Sequence, residues 1–182
     1  MKNVAASVRA RLLNQSRLSG ESFNSLLDQY VTGRFLWRLS ESPYQQHFIL
    51  KGAQLFRLWN ANANIHRPTR DLDLLGFGDP SEENLADILT EVCRLPCSPG
   101  DGLLWGEVKT GPIREEMEYG GIRAQLLATL AEARISLQID IGFGDAVTPA
   151  PVEAEWLGLL GFPAARLFVY PPETVIAEKL DQ

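Results

Sequence analysis

The sequence predicts a mixed α/β (α+β) domain: a mixed sheet flanked by helices and preceded by a helical N-terminal extension. Three observations carry this reading. Apolar positions recur at helical spacing near the N-terminus, short apolar runs alternate with polar positions further on, and Gly, Pro and Ser clusters separate them. With 182 residues, 45% of them hydrophobic, the chain can bury one sizeable core.

Taken in order, residues Asn3 to Leu18 read as a helix that Ser19 and Gly20 break. From Ser22, the positions Phe23, Leu26, Leu27, Tyr30 and Val31 mark one face of an amphipathic helix, which runs on through Phe35 and Leu39 until Pro43 closes it. Phe48 to Lys51 is an apolar approach that ends at Gly52, after which Leu55, Leu58 and Trp59 resume helical spacing. Arg70 to Leu75 reads as a strand, and Gly76 to Pro80 as a turn. Ser81 then caps a helix with Glu82 and Glu83 in its first turn and Leu85, Ile88, Leu89 and Val92 as its buried stripe.

Pro96, Pro99 and Gly100 end that helix, and strands follow over residues 104–108, 121–130 and 135–141. The segment 121–130 fits a helix equally well, because Leu126, Leu127 and Leu130 keep helical spacing. Residues 146–169, rich in Ala and Pro, read as a connecting segment whose Trp156 to Leu160 patch is expected to be exposed. The expected division is therefore 1–47 as extension, 48–145 as core, and 146–182 as connector and start of a further helical region.

Composition excludes several classes. A formal net charge of −6 argues against a basic surface spread over the whole protein. No apolar run reaches the roughly 20 residues that span a bilayer, and the N-terminus has no signal-peptide core, so a cytoplasmic location without membrane contact is expected. Cys93 and Cys97, with His47 and His66 far off in sequence, do not make a zinc ligand set; the cysteines are expected to pack at a helix end.

The chemistry concentrates around Asp71 and Asp73. On a strand, alternate side chains share a face, so these two carboxylates project together while Leu72 and Leu74 point inward. Paired acids between leucines are costly without a cation, and a hard divalent ion takes one or two carboxylates together with phosphate oxygens. In the run Ile135 to Ile141, alternation sets Asp140 on the polar face, where it could complete a three-carboxylate site. Gly52 would let a phosphate approach the backbone closely. Arg34, Arg38, Lys51, Arg57, Arg67 and Arg70 gather around these positions in sequence, either to track phosphates or to pair with the acids.

Gly52-Ala53, Asp71-Leu72-Asp73, Asp140 and the stretch Tyr170-Pro171-Pro172-Glu173-Thr174-Val175-Ile176-Ala177-Glu178-Lys179-Leu180 together resemble the AbiEii/AbiGii toxin family of the DNA polymerase β-like nucleotidyltransferases. The resemblance covers about Phe48 to the C-terminus. It implies a nucleotidyltransferase-like core and transfer of a nucleoside monophosphate from a nucleoside triphosphate to an acceptor such as tRNA or another RNA, under the control of an antitoxin protein. It implies Asp71, Asp73 and Asp140 as catalytic ligands of Mg²⁺ or Mn²⁺ and Lys179 as a cation on the triphosphate. Nucleotide binding would fall to Lys51, Gly52, Ala53, Gln54, Arg67 and Arg70.

Two departures qualify the match. Ala53 and Gln54 stand where the family often has a hydroxyl residue, and the sequence ends at Gln182 in a helical pattern with no stop signal. The expectation is a chain that lacks the family's later helical region, binds a divalent ion and transfers nucleotides poorly. The alternatives are an inactive nucleotide- or partner-binding remnant and an interaction protein whose helical front contacts an antitoxin.

Overall fold

The computed structural model describes residues 3–59, 70–113, 120–144 and 150–174. Helix α1 (Val4–Ser19) starts where Asn3 Oδ1 accepts the Ala6 N–H and ends at Gly20, whose φ of 78° closes the last turn. Helix α2 (Phe23–Glu41) starts at Ser22, whose hydroxyl accepts the Ser25 N–H. These are caps that satisfy otherwise orphaned backbone groups. After α3 (Leu55–Trp59), α4 (Glu82–Arg94) is capped in the same way by Ser81, which Asp79 in turn holds.

The strands are β1 (Phe48–Lys51), β2 (Leu72–Gly76), β3 (Leu103–Trp105), β4 (Lys109–Pro112), β5 (Ile122–Leu130), β6 (Ala133–Phe143), β7 (Val152–Trp156) and β8 (Ala165–Val169). They form one sheet in the order β3-β5-β6-β2-β1-β8-β7, with β4 also paired to β5. The pairs β2/β6 and β1/β8 are parallel and the rest antiparallel, so the sheet is mixed as the sequence predicts.

Segment 121–130 is a strand. Its register with β6 pairs Leu130 with Ala133 across Ala131 and Glu132, and Ile122, Ala124, Leu126, Ala128 and Leu130 are buried at period two. The hairpin partner overrides the local helical spacing of its leucines.

Residues 152–169 do not merely connect: β7 and β8 extend the sheet, and β8 pairs directly with β1. The Trp156 patch splits, with Trp156 buried beside Gly33 of α2 and Leu157 exposed. Nor is α2 an appendage, since it lies across β6 and β8 and buries Leu26, Tyr30, Val31, Phe35, Leu36 and Leu39 in the common core. Short strands in Ala- and Pro-rich sequence carry little local signal, and pairing alone defines them. Among the described residues, no helix is long and apolar enough to cross a membrane.

Candidate active site

The alternation in β2, β5 and β6 gives the sheet two unlike faces. Leu72, Leu74, Ala124, Leu126, Leu137, Ile139 and Ile141 are buried in the core, whereas Asp73, Arg123, Gln138 and Asp140 are only half-buried on the other side. Registered partners on adjacent strands point to the same face. Lys51 of β1 is opposite Asp73 of β2, Asp73 is opposite Asp140 of β6, and Asp140 is opposite Arg123 of β5. Four strands thus present one row of charged side chains in the order cation, carboxylate, carboxylate, cation.

Gly52 shapes one end of this row. Its φ is 78°, a conformation side chains rarely adopt, and a Cβ there would fall onto Asp73 Oδ2 and within 3.0 Å of its Cγ. The missing side chain leaves the flank of the Asp73 carboxylate open. Lys51 Nζ stands 5.9 Å from the centre of the buried Tyr170 ring, and the Tyr170 N–H donates to Leu50 O, so the end of β8 shapes the same corner. Asp71 is exposed just ahead of β2, and its carbonyl accepts from the buried Gln54 side chain at 3.4 Å. Ala53 is exposed at the turn between Gly52 and α3.

At the other end, Arg123 grips Asp140 with a planar fork. Nε donates to Oδ1 at 2.8 Å and Nη2 to Oδ2 at 3.0 Å. Sequence reasoning missed Arg123, although the signal was present. Once 121–130 is a strand hairpinned at Ala131-Glu132, counting back from the turn sets Arg123 opposite Asp140.

The other cations scatter. Arg34 and Arg38 lie buried on α2 and bind Asp101, away from the row: Arg34 Nε donates at 3.0 Å and Arg38 Nη1 at 2.6 Å to the same oxygen. Their closeness to the acids in sequence does not survive folding, because one turn of helix sets both on the core stripe of α2. Arg70 pairs with Asp28 of α2 at 3.2 Å, where burial holds the Asp28 carboxyl above its ordinary range against the opposing pull of Arg70. Arg57 is half-buried, and that burial lowers its pKa while Glu21 acts to raise it. Arg67 and Lys179 lie outside the described residues. Cys93 is buried near the end of α4, where desolvation pushes its thiol up to about 12, and Cys97 accepts a long hydrogen bond from Arg38; neither belongs to the row.

Whether this row suits a divalent ion turns on its donors. Asp73 and Asp140, in register on adjacent parallel strands with the Asp73 flank cleared by Gly52, offer the hard oxygen set that Mg²⁺ or Mn²⁺ takes. Among the described residues, no group of three His, Cys, Asp or Glu side chains stands close enough to hold a metal. The fit is thus to a two-carboxylate site.

The family model described as nucleotidyl transferase AbiEii toxin, type IV TA system, matches residues 34–181, which takes in all four strands of the row. The chain belongs to the AbiEii nucleotidyltransferase toxin family. Two solved structures share the fold: JHP933 from Helicobacter pylori, with a TM-score of 0.55 and 16% identity over 87% of this chain, and a proposed nucleotidyltransferase from H. pylori, with a TM-score of 0.52 and 16% identity over 88%. This chain spans 57% and 59% of those two chains. No curated protein matches it.

Proposed function

We propose that this AbiEii family member is a divalent-metal-dependent nucleotidyltransferase of the toxin–antitoxin type, moving a nucleoside monophosphate from a nucleoside triphosphate to an RNA acceptor such as tRNA. The observation that carries this reading is the register of Asp73 against Asp140 beside Gly52, within a chain of this family. Asp73 and Asp140 would hold Mg²⁺ or Mn²⁺, with Asp71 reaching in from the edge. Such an ion, when bound, neutralises phosphate charge and orients an in-line displacement. The chain's own residues supply position: Gly52 keeps the flank of Asp73 open, Lys51 brings positive charge to the same corner, and Tyr170 backs the lysine. Lys179 enters as a triphosphate contact through the family motif, Arg67 and Arg70 through their place in the sequence just before the acidic pair, and an antitoxin protein as the partner.

Incubation with α-labelled nucleoside triphosphates, Mg²⁺ or Mn²⁺ and total RNA tests the reading. The expected result is metal-dependent label on RNA that disappears with Asp73→Asn. No transfer in any metal, with the triphosphate still bound, would overturn it in favour of a nucleotide-binding remnant, the reading that the Arg123 grip on Asp140 favours.

A further inference from the structure

Arg123 occupies both oxygens of a carboxylate that the proposed ion would need. The Asp140 side chain is 21% exposed and the Arg123 side chain 40%, so the pair sits at the open face rather than in the core. The Arg123 backbone is fixed, since β5 and β6 stay in register from Ile122 to Leu130, but the half-exposed side chain has solvent to move into. The partner of Asp140 on its other side is Asp73, a second carboxylate in direct register on a parallel strand. Two like charges so placed repel each other, and a guanidinium fork relieves the repulsion through two charge-assisted hydrogen bonds.

A divalent ion would relieve the same repulsion. Ion and guanidinium therefore compete for one carboxylate, because each removes the charge that attracts the other and the two cations repel at this range. We infer that Arg123 is a displaceable counter-ion for Asp140, which holds both carboxylate oxygens in the metal-free protein and thereby sets the affinity of the site for a divalent cation. The inference rests on the metal reading above and adds to it a residue that tunes the site without being a ligand.

The test is Mn²⁺ titration, with the free ion followed by electron paramagnetic resonance, on wild-type protein and on Arg123→Gln, Arg123→Lys and Asp73→Asn, each checked for fold by circular dichroism. Arg123→Gln removes the competitor and is expected to tighten Mn²⁺ binding by about tenfold, the scale of a charge-assisted pair at a partly exposed site. Arg123→Lys keeps the charge and loses the planar fork, and is expected to tighten binding by more than about twofold. The lysine variant also carries the test if the glutamine variant does not fold. Wild-type-like affinity in Arg123→Lys would mean that charge alone acts and would overturn the inference, as would unchanged or weaker binding in both Arg123 variants. Binding that Asp73→Asn abolishes but neither Arg123 variant alters would sink this inference alone. Absence of Mn²⁺ binding in the wild type would sink it together with the metal site.

Discussion

Two arginine–carboxylate assemblies stand on opposite sides of the same sheet and do opposite things. In the core, Arg34 and Arg38 share Asp101, with all three side chains 3–4% exposed. Every neighbour locks the group in place: the Tyr30 hydroxyl donates to Asp101 O, the Leu103 N–H donates to Asp101 Oδ1, Arg38 Nε donates to Leu95 O, and Arg34 stacks between Trp37 and Phe162. On the open face, Arg123 and Asp140 form an equally well-made fork, but with solvent beside it and a second carboxylate next in line. The buried assembly ties α2 to the loops that lead into β3. The exposed one lies against solvent, with its arginine side chain 40% exposed. Burial, not bond geometry, separates a structural pair from an exchangeable one.

The largest expected effect comes from breaking the buried member. Asp101→Ala would leave two guanidinium groups uncompensated in the core, one of which already has Nη1 without an acceptor among the described residues. A loss of about 3–5 kcal/mol in urea denaturation is expected. A loss below about 1 kcal/mol, the range of surface pairs, would show that the cluster is not the anchor its burial implies.

Next in size is Gly52, on the open face. Gly52→Ala forces a side chain into a left-handed backbone and onto the Asp73 carboxylate, for a cost of about 1–3 kcal/mol. Because the clash meets the proposed ligand itself, Mn²⁺ affinity should fall as well. Retained affinity in a destabilised variant would confine Gly52 to the turn.

The comparison sharpens with pH. Burial alone would raise the Asp101 carboxyl, but hydrogen bonds and charge from Arg38, then Arg34, and the Leu103 N–H outweigh it and hold the group below its ordinary range. Between the lowered folded value and the ordinary value near 3.9, the unfolded chain binds the proton and the folded protein does not. The Asp101 contribution is therefore complete above about pH 4 and lost as the pH falls through the folded value. Asp101→Asn should flatten the acid limb of a stability–pH curve measured by denaturant titration. An unchanged slope would remove Asp101 as the acid-sensitive group.

The smallest effect is expected at Arg123. Arg123→Gln breaks a half-exposed pair, so stability should change by less than about 1 kcal/mol in the absence of metal. A loss approaching that of Asp101→Ala would erase the contrast between the two assemblies.

Much of the chain was legible because its signals are local. Asn3, Ser22 and Ser81 announce their helices by capping chemistry, and the stripes of α2 and α4 follow from spacing alone. Alternation put Asp73 and Asp140 on the polar faces of their strands without any knowledge of neighbours. The long helices and the faces of β2 and β6 follow from residues a few positions apart, and the family motif is readable without a fold. Tertiary structure decided what met what: that β2 and β6 run parallel with Asp73 beside Asp140, that β7 and β8 complete the sheet, and that Arg34 and Arg38 turn into the core while Arg123 reaches the acids. Faces and caps arise from a few adjacent residues, whereas strand partners and ion-pair partners are chosen by burial and register between segments far apart in the chain.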